Sequence, residues 1–278
     1  MKKTIISKLL IACILTSSMV SAAAFAASPA SKVETTVKKE SYQLIKTLKA
    51  DVLGDQSEDE VTLSAKKHPD STVYYDQFKL TIKDGKTGKT YTHELNGGYE
   101  PELFLGDFTG DKKAEMMIQS DAGGSGGIQN VSILTFENGK FISLMDSAEK
   151  DANLKFESNF KDNFKAYILN KDTNMTFALD LSGIKSELIK NGAYDKDGKV
   201  LAQDMGWTDG IKMALPADVN GDGSLELLCS TAIFGKSHVD KLSTVNWTYQ
   251  YDSKSKTWKV VDLDMSTPVY RAPMAEYK

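Results

Sequence analysis

The stretch Asp218-Val219-Asn220-Gly221-Asp222-Gly223-Ser224-Leu225-Glu226 sets oxygen-bearing side chains at positions 1, 3, 5 and 9 of a short, glycine-bent loop. A hard cation such as calcium takes roughly six to eight oxygens at about 2.3–2.6 Å. Alternate residues of a curled loop aim to one side. The pattern therefore predicts Asp218, Asn220, Asp222 and Glu226 as side-chain ligands of Ca2+, with the carbonyl of Ser224 closing the cage. Asn-Gly and Asp-Gly are also the commonest turn dipeptides, so a plain polar hairpin turn is the alternative reading.

The pattern recurs twice upstream. Asp107-Phe108-Thr109-Gly110-Asp111-Lys112-Lys113-Ala114-Glu115 keeps acids at 1, 5 and 9 with Thr109 at 3 and Lys113 at the carbonyl position. Asp51-Val52-Leu53-Gly54-Asp55-Gln56-Ser57-Glu58-Asp59 keeps Asp51, Asp55 and Asp59 but has Leu53 at position 3. Gly54, Gly110 and Gly221 all stand at position 4, and a small residue (Ala50, Gly106, Ala217) precedes each first Asp. A strand-like run follows each loop, at 60–63, 116–118 and 227–229. The charge pattern ranks the sites. The third loop carries no adjacent cation, Lys112 and Lys113 weaken the second, and the first lacks an oxygen at position 3.

The first Asp residues lie 56 and then 111 residues apart, so a unit without a ligand loop fits the gap, near Asp162. A period of this length built of short strands predicts a mostly β chain: a β-propeller-like repeat architecture of about four to five units of ~56 residues, with one short helix. Alternating runs around Gly-containing turns predict hairpins at 78–95, 131–144 and 245–261, and a further one at 164–179 in the gap. Ile184, Leu188 and Ile189 have helical spacing and Gly192 follows, which places the helix at 182–190. Asp195-Lys196-Asp197-Gly198-Lys199 reads as a turn.

These loops resemble the FG-GAP and VCBS repeats, whose calcium loops of type D-x-[DN]-x-D-G-x-x-[DE] lie between propeller-blade strands, as in integrin α-subunits. The match is full in the third loop, partial in the second and slight in the first. The layout is similar over Asp51 to Leu263. The resemblance implies a calcium-stabilised β fold used for adhesion or recognition. Two departures stand against it: few repeats for a closed ring, and no Phe-Gly…Gly-Ala-Pro signature ahead of the loops. EF-hand and dockerin loops need an acid at position 12, where this chain has Cys229.

Lys2 and Lys3, the apolar stretch from Ile5 to Val20 and Ala24-Phe25-Ala26 read as a secretory signal peptide cleaved after Ala26. Leu10-Ile11-Ala12-Cys13 resembles a lipobox, but only four apolar residues separate Lys8 from Cys13, too few for an h-region. Cleavage removes three lysines and no acid, taking the net charge from −4 to −7. Residues 27–41 read as a linker or frayed start and 42–278 as a single β-repeat domain. No C-terminal sorting signal is recognisable around 268–278. One cysteine would remain, so no internal disulfide is expected. The expected product is secreted or cell-wall associated, monomeric and not membrane-embedded.

Arg271 is the only arginine and no basic cluster is interleaved with aromatics, which argues against nucleic acid. Gly123-Gly124-Ser125-Gly126-Gly127 fits the letters of a nucleophile elbow, but a strand rather than a helix follows it. His68, His93 and His238 lack metal spacing, and no catalytic residue is assigned, although a spatial triad of Ser125, His238 and an acid stays open. The leading reading is an exported calcium-stabilised binding or surface module for an extracellular protein or glycan. The alternative is a secreted hydrolase or carbohydrate-active protein on the same scaffold. Trp207, Trp247 and Trp258 with Tyr249 and Tyr251 are the candidates for an aromatic glycan platform, or for core.

Overall fold

Short alternating runs bounded by turn residues build three antiparallel sheets. The first is a seven-stranded meander whose neighbours follow chain order: β1 (Tyr42–Ala50), β2 (Asp59–Lys67), β3 (Tyr74–Lys83), β4 (Thr90–Gly106), β5 (Glu115–Asp121), β6 (Gln129–Glu137) and β7 (Lys140–Asp146). The second holds β8 (Phe156–Lys161), β9 (Lys165–Asn170) and β10 (Met175–Asp180), with β9 in the middle. The third holds β11 (Met213–Ala217), β12 (Glu226–Phe234), β13 (Lys241–Asp252) and β14 (Thr257–Ser266) in order. The structure, a computed structural model, describes residues 41–149, 153–203 and 205–266, which lie within one compact unit. The stretches expected to be a signal peptide and a competing lipobox at Cys13, residues 27–40 and the C-terminal stretch around 268–278 lie outside the described residues.

Alternation decides which face each strand buries. In β2, Val61, Leu63 and Ala65 are fully buried, and they meet Phe78, Leu80 and Ile82 of β3 and Leu103 of β4 in one core. β5 reads Met116-Met117-Ile118 and is buried on both sides. Met116 and Ile118 join the first core, whereas Met117 faces a second core with Val131 and Ile133 of β6 and residues of β8 to β14. A continuous apolar run is what a strand covered on both faces requires. At about 1.5–3 kcal/mol per large side chain removed from water, these shared layers supply the drive that joins the sheets.

β4 is seventeen residues long because it serves two neighbours. Its first half pairs with β3 and its second with β5, and the register shifts between Tyr99 and Glu102. Pro101 sits in that shift, where a missing N–H costs no ladder bond. Glu100 has a positive φ of 47°. Gly97, Gly98 and Pro101 are residue types that commonly interrupt a strand. The chain instead bends without leaving the sheet.

The mostly β composition and the helix at the expected place hold: a 3-10 turn at Ser182–Ile184 runs into α1 (Lys185–Lys190), and the Gly192 N–H bonds back to the Ile189 carbonyl at 3.1 Å. The expected hairpins are β3–β4, β6–β7, β9–β10 and β13–β14. The propeller of four to five units does not form. Because β4 is common to the first two expected units, they fuse into one sheet rather than standing as separate blades, and the sheets pack as antiparallel layers, not as a closed ring.

Candidate functional site

The three Asp loops adopt one conformation. Each joins two paired strands with the residue before position 1 opposite position 9: Ala50 with Asp59, Gly106 with Glu115, Ala217 with Glu226. The position 1 carboxylate accepts amide N–H groups from its own loop. Asp51 takes Gly54, Asp55 and Gln56 at 2.7, 3.1 and 2.7 Å. Asp107 takes Gly110, Asp111 and Lys112 at 2.6, 3.2 and 2.6 Å. Asp218 takes Gly221 and Gly223 at 2.7 and 3.0 Å. Aiming successive amides at one carboxylate requires a left-handed residue at position 4, and Gly54, Gly110 and Gly221 have φ of 75°, 75° and 77°. Position 5 accepts the amide two residues on, from Ser57, Lys113 and Ser224. The Ser224 hydroxyl and amide also hold the Asp222 carboxyl below its usual range.

Position 9 is buried in all three, at 0, 0 and 1 % exposure. Asp59 accepts the amides of Val52, Leu53 and Gly85 at 3.1, 3.1 and 3.0 Å. Glu115 accepts Phe108 and Thr109 amides at 2.9 and 3.2 Å and the Thr135 hydroxyl at 3.2 Å. Glu226 accepts the Val219 amide and the side-chain amides of Asn220 and Gln250 at 3.0, 2.9 and 3.0 Å. A buried carboxylate is tolerable because charge-assisted bonds of this kind replace its water.

The loops also stack. The position 8 amide of one loop donates to the position 1 carbonyl of the loop before it: Ala114 to Asp51 at 2.9 Å and Leu225 to Asp107 at 2.6 Å. The third loop thus follows the second directly in space. The hairpin expected to fill the gap as a repeat, now β9–β10, occupies no step of this stack.

This geometry corrects the calcium reading. Among the described residues no group of three or more His, Cys, Asp or Glu side chains is placed to hold a metal ion. Asp218, Asp222 and Glu226 turn their oxygens onto loop amides and neighbouring side chains, as do Asp107, Asp111 and Glu115, and Asp51, Asp55 and Asp59. Asn220 Oδ1 accepts the Asp222 amide, the Thr109 hydroxyl reaches Glu115 at 3.4 Å, and the Ser224 hydroxyl donates to Asp222 at 2.5 Å. Lys113 reaches across to the Phe136 carbonyl at 3.2 Å, and Lys86 pairs with Asp55 at 3.2 Å. The spacing that suits an ion equally suits a carboxylate cage for backbone amides, and sequence alone does not separate the two.

Glu115 is fully buried with Asp107 and Asp111 close by. Burial pushes its carboxyl up to about 7; the Phe108 amide pulls the other way, and nearby Asp111 and Asp107 push further up. The folded chain therefore keeps this proton where the unfolded chain has lost it. The stabilising contribution is complete below the ordinary value of 4.5 and disappears as pH rises through about 7. Glu115→Gln keeps an acceptor for both amides and removes the titration. Denaturant melts from pH 4.5 to 8 should show wild type losing up to about 3 kcal/mol relative to Glu115→Gln. Parallel curves would show that this carboxyl does not titrate in that window.

At the other end of the seven-stranded sheet lies a cleft of about 660 Å³. β2 leaves its loop at Asp59 and reaches the cleft at Lys66; β5 leaves at Glu115 and reaches it at Ile118 and Ser120. The lining comes in registered polar pairs, Gln77 with Asn96, Ser120 with Asn130 and Ser132 with Asp146, joined by Asp76 and Glu94. Phe78 and Ile118 form apolar parts of the wall. His238 Nε2 lies 2.7 Å from Asp209 Oδ2, with its ring edge-on to Trp207 and Phe234. This pair ties the β12–β13 turn to the 205–212 segment. The Gly123–Gly127 loop is fastened by Lys212, whose ammonium bonds the Gly126 carbonyl.

A family model, the YybI C-terminal domain, matches residues 154–266. The chain is 31 % identical over 216 residues to the uncharacterized protein YybI of Bacillus subtilis (strain 168), covering 77 % of this chain and 82 % of that protein. The chain belongs to the YybI family. This membership, with the open antiparallel sheets and the amide-filled loops, overturns the resemblance to FG-GAP and VCBS repeat proteins. The YybI C-terminal domain spans β8 to β14 and includes the third Asp loop, whereas the first two loops and the cleft precede it. The alignment to the YybI protein is longer than that domain and so extends beyond it.

The cleft residues carry no motif. Their signal is the polar phase of strand alternation, visible in Gln77, Glu94 and Asn96, but which polar phase faces a hollow depends on how the sheet curves. Of the aromatic candidates, Trp247 is 3 % exposed and belongs to the core, and Trp207 packs on Phe234. Trp258 and Tyr249 line two clefts together, and Tyr251 lines a third.

Proposed function

We propose that this chain is an exported binding module whose ligand surface is the cleft across β2 to β7, with the stacked Asp loops pinning the far end of the sheet. The reading rests on the cleft itself: about 660 Å³ walled by side chains from six successive strands, most of them hydrogen-bonding groups held in register by the ladder. Groups on a rigid sheet are oriented before a ligand arrives, which lowers the ordering cost of binding. Its charged lining is Lys66 against Asp76, Glu94 and Asp146, so it selects a polar ligand carrying positive charge. Among the described residues no helix is long and apolar enough to cross a membrane, in keeping with a module that is not membrane-embedded.

The test uses the full chain without its first 26 residues, titrated calorimetrically with tetralysine and with a glucosamine tetramer. Binding should weaken about tenfold or more in the Glu94→Gln, Asp146→Asn double variant and fall with added salt. Equal affinities in wild type and variant, or no heat from either probe, would remove the cleft as the binding surface.

A further inference from the structure

A second opening lies on the seam between two sheets. β7 is the last strand of the seven-stranded sheet and β14 the last of the four-stranded one, so both present a free edge. Three clefts of about 260, 290 and 480 Å³ follow this seam. The first and second share Leu144 and Lys256, and the second and third share Tyr249 and Trp258, so together they form one continuous groove.

Its floor is aromatic. Trp258 is half-buried, with Tyr251 at 5.4 Å, Phe108 at 6.1 Å and Tyr249 at 6.3 Å between ring centroids, each edge-on. Those contacts and the 2.9 Å bond from Trp258 Nε1 to the Leu144 carbonyl fix the indole in place. Its rim supplies hydroxyls, ammonium groups and carboxylates, among them Ser253, Lys256, Lys259 and Asp172. At the far end Asn153 donates from Nδ2 to the Ser147 carbonyl at 3.0 Å, while its buried Oδ1 has no partner among the described residues.

We propose that this groove binds a linear glycan, with Trp258 as the stacking platform. Sugar rings offer apolar C–H faces to an aromatic surface and hydroxyls to the rim, the combination that this groove provides. An extended peptide is the other occupant that a free edge invites, by adding a strand. Here the Leu144 carbonyl in the middle of β7 is already taken by the Trp258 indole, which interrupts the ladder that such a peptide needs. The inference shares with the previous section the reading of a binding module but stands on a different surface.

The experiment titrates the chain lacking residues 1–26 with chitohexaose, cellohexaose and sonicated peptidoglycan glycan strands, following intrinsic fluorescence and heat. At least one glycan should bind, and Trp258→Phe, which preserves most of the packing on Phe108, should weaken it about tenfold or more. Lys256→Ala, on the exposed rim, gives a second variant that leaves the core alone and should weaken binding less. Unchanged melting curves for both variants show that the fold is intact. No binding of any of the three glycans overturns the proposal, and so does unchanged affinity in both variants. A glycan that loses affinity in the Glu94→Gln, Asp146→Asn variant but not in Trp258→Phe belongs to the sheet cleft, which also overturns it. Binding of extended peptides competing for Trp258 without glycan binding overturns it in favour of strand addition.

Discussion

Asp59→Ala is expected to destabilise the chain by about 3–5 kcal/mol, lowering the melting temperature by roughly 10 °C. Asp59 is fully buried and its two oxygens receive three backbone amides, those of Val52, Leu53 and Gly85. Alanine leaves all three donors without an acceptor in a site that water does not reach, and each stranded donor costs about 1–3 kcal/mol. Asp59→Asn separates this account from a simple loss of packing. Its single carbonyl oxygen can serve the Val52 and Leu53 amides, but its NH₂ then faces the Gly85 N–H. The loss should therefore be about one donor's worth, roughly 1–2 kcal/mol. Chemical denaturation of the three proteins under one buffer tests the order wild type, Asn, Ala. Equal stability of Ala and wild type would mean that the loop does not depend on its carboxylate cage.

Gly97→Ala is expected to be at least as damaging, and to act through shape alone. Gly97 stands opposite Asp76, where β4 begins its passage from β3 to β5. A Cβ at this place would lie far inside contact distance of the Tyr75 carbonyl oxygen and of the Asp76 backbone, neither of which can rotate away as a side chain would. The strand must separate from β3, which breaks ladder bonds and opens the first core beside Phe78. A loss of about 3 kcal/mol or more, or failure to accumulate as a folded protein, follows from overpacking that only backbone movement relieves. Gly88→Ala is the control: it keeps a strained φ of 70° but meets no atom within 4 Å, so only the cost of that conformation, about 1 kcal/mol, applies. If Gly97→Ala melts like Gly88→Ala, β3 and β4 are not as closely apposed as described.

The sequence by itself determined the local units. Aspartate at position 1, glycine at position 4 and an acid at position 9 specify a self-closing loop, because the amide bonds from within the loop to positions 1 and 9 span seven residues or fewer. Strand alternation and turn residues likewise located the hairpins, and Gly192 located the end of the helix, since these signals are carried by near neighbours. Tertiary structure decided the rest. Whether the loop oxygens would meet an ion or loop amides, whether two hairpins would stand apart or share β4, and which polar side chains would wall a cleft depend on contacts such as Leu225 to Asp107 and Trp258 to Leu144. Those join residues more than a hundred positions apart. Distance along the chain erases such pairings from local pattern, and only the packing of the two cores restores them.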